Sequence, residues 1–149
     1  MSTLDRKDYR ILALLEENAR MTTSEMSKRL NIPQTTIYNR IKRLRDNGVI
    51  ERFTIDVDRK KTGKGLVALI LCTVSYRTTK GEKIDQYEVA QLIKQLPEVE
   101  EVSIVTGEID LIVKVALRDV DELNDFVIFK LRDIDGIEKT MTSVVLSEV

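Results

Sequence analysis

The chain has 149 residues, of which 42% are hydrophobic and 33% are charged, and its net charge is −1. With one cysteine and no histidine, the sequence excludes an internal disulfide, histidine-based catalysis and a histidine metal site. No apolar run approaches the roughly 18 residues of a membrane span, and the amino terminus is charged from Asp5 onward. We therefore expect a cytoplasmic protein with no membrane span, no signal peptide and no metal site.

Two short amphipathic helices are predicted first along the chain. The first, residues 5 to 18, starts at an aspartate that can cap it and repeats apolar residues at helical spacing. The second, residues 22 to 30, starts at Thr22, because Glu25 three positions later can complete a capping box. Asn31-Ile32-Pro33 then forms a tight turn, since Asn tolerates a left-handed backbone and Pro can begin a helix.

The third helix carries side chains suited to DNA on the face opposite its apolar stripe. The stripe consists of Ile37, Ile41 and Leu44 at i, i+4 and i+7. On the outer face, Gln and Asn can bond adenine edges, Thr offers a hydroxyl and a methyl group, and Lys and Arg bind guanine or phosphate. The helix of residues 22 to 30, the tight turn after it and a third helix with this outer face are together typical of a helix-turn-helix that reads the major groove. The candidate DNA-binding residues are Gln34, Thr35, Thr36, Tyr38, Asn39, Arg40, Lys42 and Arg43.

The alternative for this helix is a solvated polar face on an ordinary surface helix. The residues that follow favour the helix-turn-helix. After the helix-stop signal Asn47-Gly48, residues 49 to 55 alternate apolar and polar side chains as a strand does. Three helices followed by a hairpin predict a winged helix-turn-helix domain over residues 1–56.

Charge is unevenly divided along the chain. Residues 1–65 contain 15 Lys and Arg against 9 Asp and Glu, whereas residues 66–149 contain 9 against 16. A basic amino-terminal part joined to an acidic remainder indicates that only the first domain binds phosphate. Lys60, Lys61 and Lys64 either extend this basic surface or belong to a solvated hinge.

A linker is predicted at residues 57–65, where charge is concentrated and two glycines interrupt the periodicity. The remaining residues, 66–149, follow the order βαββαβ. This order predicts a ferredoxin-like domain, an antiparallel sheet with both helices on one face, so the fold class is α+β. We expect a second subunit to cover the open sheet face. The predicted strands are 66–76, 99–106, 109–117 and 137–149, and the predicted helices are 83–96 and 120–132.

The chain resembles the Lrp/AsnC, or feast/famine, family of transcription regulators over essentially its whole length. The resemblance is carried by Leu4-Asp5 with Asp8 and Ile11-Leu12, Asn18-Ala19-Arg20, Arg40-Ile41 with Leu44, Gly48-Val49-Ile50, and Thr106-Gly107 followed by Asp110. It implies a winged helix-turn-helix joined to a βαββαβ ligand-sensing domain, called RAM. It also implies homodimers formed through that sheet, octameric rings of four dimers, and an amino-acid effector held between dimers. Pro33 stands where the family usually has Ser at the cap of the recognition helix.

The effector site that the resemblance implies lies near the glycine-containing loop. A free amino acid offers an ammonium group to the Asp110 carboxylate and a carboxylate to backbone N–H groups of the loop. The alternative is that Gly107 and Asp110 only make the turn between two strands. The candidate effector-binding residues are Thr106, Gly107, Glu108 and Asp110, with Thr142, Ser143 and Val144 on the last strand as weaker candidates.

Together these features predict a sequence-specific DNA-binding transcription regulator, modulated by an amino acid, that is not an enzyme and needs no cofactor. Its expected partners are double-stranded DNA, further copies of itself and the amino acid. An enzyme would need convergent acid, base or nucleophilic groups, whereas the acidic residues here are spread along helices. The alternative function is an amino-acid-sensing or protein-interaction module that does not bind DNA.

Overall fold

The structure, a computed structural model, describes residues 3–77 and 81–147. The chain divides into two compact units, a first unit of Met1–Asp56 and a second unit of Val57–Val149. Each unit has its own cluster of buried apolar side chains.

Within its described residues, the first unit contains three helices, α1 (Arg6–Glu17), α2 (Thr23–Leu30) and α3 (Gln34–Asp46). Both predicted caps are confirmed. Asp5 accepts hydrogen bonds from the N–H groups of the first turn of α1, and Thr22 forms a complete capping box with Glu25.

The turn between α2 and α3 is also confirmed. Asn31 has φ 54° and ψ 47°, the left-handed conformation that Asn tolerates better than most side chains. Ile32 after it is buried and joins Ile11, Met26 and Ile37 in the core of the first unit. The three helices therefore close one small core around the turn.

The predicted strand at residues 49–55 is wrong. This stretch contains neither a strand nor a helix. A strand needs a neighbouring strand for its N–H and C=O groups, and the alternation of apolar and polar residues cannot supply one. The alternate apolar side chains remain outside the core, with Phe53 half exposed and Ile55 mostly exposed.

The part of the second unit that the structure describes contains a four-stranded sheet, and the predicted order βαββαβ is confirmed. The sheet order is β2-β3-β1-β4, and all three strand pairs are antiparallel. The elements are β1 (Leu66–Val74), α4 (Gln86–Lys94), β2 (Val99–Ile104), β3 (Leu111–Leu117), α5 (Val120–Asp125) with a following π-helix (Phe126–Leu131), and β4 (Ile137–Val144).

Both helices pack on one face of the sheet. Alternate residues of β1 and β3 point toward them and are buried with Ile93 of α4 and Phe126 of the π-helix. Leu71 and Met141 are register neighbours on the opposite face, where Met141 is 55% exposed. The second unit thus has one covered face and one open face that carries apolar side chains.

Several elements are shorter or different from those predicted. The helix predicted over 83–96 spans Gln86–Lys94 because Asp85, rather than an earlier residue, accepts the cap hydrogen bond from Tyr87 N–H. The helix predicted over 120–132 is α-helical only to Asp125 and then continues as the π-helix. The last strand ends at Val144, and residues 148–149, which the sequence placed in it, lie outside the described residues.

The segment predicted as a linker, residues 57–65, contains a hydrogen-bonded turn. Lys64 N–H donates to the Arg59 carbonyl at 2.8 Å. The Arg59 guanidinium binds Glu100 of β2 through two hydrogen bonds of 2.7 and 2.9 Å. The segment is therefore attached to the sheet of the second unit.

Candidate nucleic-acid interface and effector loop

The outer face of α3 is set by the burial of its inner face. Ile37 and Leu44 are buried in the first unit and fix the rotation of the helix about its axis. Tyr38, on the outer face, is 62% exposed. Of the other candidate residues, Gln34, Thr35, Asn39, Lys42 and Arg43 are exposed, whereas Thr36 and Arg40 are half-buried.

The amino terminus of α3 lacks a side-chain cap. Pro33 occupies the cap position with φ −56°, and no side chain accepts a hydrogen bond from the first turn. The helix nevertheless begins at Gln34, since the fixed φ of proline suits a helix start. The N–H groups of this turn keep their capacity to bind an anion.

Two carboxylates at the start of α1 hold two arginines of α3. One terminal nitrogen of Arg40 donates to both Asp5 and Asp8 at 2.8 Å. Arg43 donates to the other oxygen of Asp8 at 2.7 Å. Asp8 is fully buried, and the Asp5 backbone N–H also donates to it at 3.0 Å. A buried carboxylate is thus compensated by hydrogen bonds and opposite charge.

These contacts keep the cluster ionised. The hydrogen bond from Arg40 is the main cause that lowers the pKa of Asp5 from 3.8 to about 2. Burial raises the pKa of Asp8, but the hydrogen bonds from Asp5 N–H and Arg40 and the charge of Arg43 outweigh it, so this pKa also lies below its usual value. The same bonds raise the pKa of Arg40, whose charge is neutralised within the first unit.

The sequence did not reveal this cluster. The sequence predicts a helix cap at Asp5, but it does not link this residue to Arg40, which lies 35 positions later. The available signal was one aspartate at the cap and another in the first turn of α1, together with an arginine pair at i and i+3 in α3. In the structure Arg40 is 19% exposed and Arg43 is 43% exposed, so the two arginines differ in what they can offer to DNA.

The candidate effector loop joins β2 to β3. Gly107 has φ 124°, in the region that side-chain-bearing residues rarely adopt. An added Cβ would meet no atom within 4 Å, so the backbone conformation rather than lack of space requires glycine. Thr106, Gly107 and Glu108 are exposed, whereas Asp110 is half-buried at the base of the loop.

Asp110 uses both carboxylate oxygens inside the second unit. One oxygen accepts from the Val74 backbone N–H at 2.8 Å, and the other accepts from the Gln86 side-chain amide at 2.8 Å. Asp110 thereby ties the loop to the end of β1 and to the first residue of α4. Sequence reasoning missed Gln86, because nothing in the local pattern links it to a loop 24 positions away.

The structure does not bring the candidates on β4 to the loop of the same chain. Leu111, directly after the loop, is in register with Cys72 of β1. Thr142 and Val144 lie two and four positions further along the sheet and on the far side of β1. At about 4.8 Å between strands and about 3.3 Å per residue, these candidates are separated from the loop by more than one side-chain length.

Two features are absent from the residues that the structure describes, 3–77 and 81–147. No group of three or more acidic or cysteine side chains is placed there to hold a metal ion. No helix among them is long and apolar enough to cross a membrane.

Comparison with known proteins places both units. Residues 4–51 match the winged helix-turn-helix DNA-binding family, and residues 71–149 match the Lrp/AsnC ligand binding domain. An uncharacterized HTH-type transcriptional regulator of Pyrococcus horikoshii is 44% identical over 141 residues, which cover 95% of this chain and 91% of that protein.

Solved structures agree with this assignment. AsnC of E. coli is similar with a TM-score of 0.82 and 29% identity, covering 98% of this chain and 94% of that chain. A Neisseria meningitidis transcriptional regulator in complex with L-Met has a TM-score of 0.88 and 28% identity, covering 99% and 92%. The chain belongs to the Lrp/AsnC family, and it is a DNA-binding transcriptional regulator with a helix-turn-helix domain and a ligand-binding domain.

Proposed function

We propose that α3 enters the major groove of duplex DNA with its exposed face and that this contact gives the regulator its sequence preference. The observation that carries the proposal is the burial of Ile37 and Leu44, which turns the polar and basic side chains of α3 outward together. Delivery of two such helices by a dimer would place them about 34 Å apart, one turn of DNA.

The exposed side chains fall into two roles. Gln34 and Asn39 have side-chain amides that can each form two hydrogen bonds to an adenine edge. Thr35 and Tyr38 can each supply a single contact. Lys42 and Arg43 suit phosphate, as do the uncapped N–H groups at the start of α3. We assign Arg40 and Thr36 to the packing side of this interface, since both are half-buried.

Substitutions on the outer face test these roles. Asn39→Ala should cost about 1 to 3 kcal/mol on a duplex selected from the source genome and should relax the preference at one base pair. Lys42→Ala should weaken binding to all duplexes alike and reduce the salt dependence, because it removes a phosphate contact. Fluorescence anisotropy with selected and scrambled duplexes measures both effects.

The matched control is Asn124→Ala, which removes an exposed amide from α5 in the second unit. We expect this variant to bind both duplexes like the wild type. Equal affinities for Asn39→Ala, Lys42→Ala and Asn124→Ala on the selected duplex would show that α3 does not make the contact.

We propose an amino-acid effector at the loop between β2 and β3. The exposed backbone of Thr106, Gly107 and Glu108 can bind the carboxylate of an amino acid, while Asp110 fixes the base of the loop. The L-Met complex of the Neisseria meningitidis regulator supports this ligand class. Calorimetric titration with the twenty amino acids tests it, and no heat of binding from any of them would contradict it. Thr142, Ser143 and Val144 would join such a site only from another copy of the chain.

We also propose that copies associate through the open sheet face, as homodimers and as octamers of four dimers, and that the protein acts in the cytoplasm without catalysis or cofactor. The apolar side chains Leu71 and Met141 on that face support the dimer. Sedimentation velocity tests it with Met141→Lys, which should dissociate the assembly, against Phe129→Lys, which alters an exposed residue of the π-helix. A wild-type monomer at micromolar concentration would contradict the dimer.

A further inference from the structure

Arg43 lies between a buried carboxylate and the exposed face of α3. One terminal nitrogen donates to Asp8 at 2.7 Å, while 43% of the side chain remains exposed. A guanidinium has five N–H donors in a fixed fork, so the bond to Asp8 leaves donors for an acceptor outside the first unit. Arg40, three positions earlier, is 19% exposed and binds two carboxylates, so it presents much less surface outward.

Asp8 is itself held by three hydrogen-bond donors. Its side chain is fully buried and accepts from the Asp5 backbone N–H, from Arg40 and from Arg43. A side chain that is already held in its bound conformation loses less conformational entropy when it binds a partner. The hydrogen bond to Asp8 therefore holds the Arg43 guanidinium in one orientation before it binds a ligand.

We propose that Asp8 is a positioning residue for DNA binding: its buried carboxylate holds Arg43 at the edge of α3, so that the remaining donors of the guanidinium bind one phosphate and set the register of α3 in the groove. This inference rests on the proposed function of α3. Phosphate contacts of this kind carry no sequence information themselves but fix the orientation in which bases are read.

Removing the Asp8 carboxylate should lower the affinity for the selected duplex, whereas the change in charge alone would raise it. Asp8→Asn removes a negative charge from the first unit, which by itself strengthens binding to any duplex. Loss of the fixed position of Arg43 instead weakens binding to the selected duplex. The ratio of affinities for selected and scrambled duplexes separates the two effects, and we expect Asp8→Asn to lower it roughly ten-fold, because a shifted register of α3 weakens about one base contact on the selected duplex.

Asp5→Asn is the matched control. It makes the same charge change at the same helix end, and asparagine is as good a helix cap as aspartate. The structure gives Asp5 a bond to Arg40, whereas the bond of Arg43 is to Asp8. We expect Asp5→Asn to keep the wild-type ratio. An equal fall of the ratio in both variants would overturn the proposal.

A double-mutant cycle tests whether Asp8 acts through Arg43. Arg43→Gln should lower the ratio by itself, and Asp8→Asn should lower it no further in that background. The same loss from Asp8→Asn with and without Arg43→Gln would overturn the proposal, because Asp8 would then act through the fold alone.

A second variant covers the case in which Asp8→Asn does not fold. Arg43→Lys keeps the charge, and therefore the salt dependence, but lacks the fork that joins the carboxylate to a phosphate. Its ratio should fall, and a wild-type ratio for Arg43→Lys would overturn the proposal. A wild-type protein without any preference between the two duplexes would instead refute the proposed function, and the inference would fall with it.

Discussion

The two carboxylates at the start of α1 make the first unit sensitive to acid. The pKa of Asp5 is about 2 and that of Asp8 also lies below its usual value. A carboxyl group whose pKa is lower in the folded state stabilises the fold above its unfolded pKa, and this stabilisation is lost as the pH falls through the folded pKa. The contribution of Asp5 is therefore present above about pH 4 and is lost toward pH 2.

Asp5→Asn should lose less thermal stability than the wild type over this pH range, because asparagine keeps the cap but does not titrate. Melting temperatures of both proteins from about pH 5 to about pH 2 measure the difference. Glu25 and Glu122 also have lowered pKa values, but they titrate in both proteins and cancel in the comparison. Parallel curves would mean that Arg40 does not stabilise the charged form of Asp5.

At the scale of single residues, the sequence predicts side-chain contacts between residues that are close along the chain and misses those between residues that are distant along it. The box formed by Thr22 and Glu25 follows from three positions of spacing and one helix turn. The partners of Arg40 and Asp110 lie more than twenty positions away, so they depend on how whole helices and strands pack. No local pattern encodes that packing.

Asp110 connects three elements, the loop before β3, the end of β1 and the start of α4. Asp110→Ala should lower the free energy of unfolding of the second unit by about 1 to 3 kcal/mol, since the Val74 N–H is left without its partner. Gln86→Ala is the control. This variant keeps the hydrogen bond from Val74 N–H to Asp110, so the free energy of unfolding should fall by only about 0.5 to 1.5 kcal/mol.

Urea unfolding of both variants, followed by calorimetric titration with any amino acid that binds the wild type, separates the two roles of Asp110. We expect Asp110→Ala to lose stability. Unchanged stability together with complete loss of amino-acid binding would contradict this and would make Asp110 the partner of the ammonium group, as the sequence suggested.

In the first unit the helices were predicted more closely than the strand, because helix signals are local. Caps, a left-handed Asn31 and apolar spacing define α1, α2 and α3 within a residue or so. The stretch 49–55 has the alternation of a strand but no neighbouring strand, so it forms none. The sequence also did not predict the π-helix Phe126–Leu131, since helical apolar spacing does not distinguish i→i+5 from i→i+4 hydrogen bonds.

For the whole molecule, most of the predicted fold and function rested on the order of elements and on the uneven division of charge. The order βαββαβ predicts the antiparallel sheet with both helices on one face, and the structure has that sheet. The positions of the effector candidates could not be predicted as well, since Thr142 and Val144 share a strand but lie away from the loop. The spacing of residues along one chain does not predict a site that forms between two chains.

The excess of basic residues in 1–65 and of acidic residues in 66–149 fits a regulator that binds DNA through one unit only. The most direct test is the affinity of the full chain for a duplex selected from the source genome, compared with a scrambled duplex, over a range of salt concentrations. For a dimer that neutralises about six phosphates, log K should fall with log salt at a slope near −5. The selected duplex should bind about a thousand-fold more tightly than the scrambled one. Equal, salt-independent affinities for the two duplexes would contradict sequence-specific DNA binding by this protein.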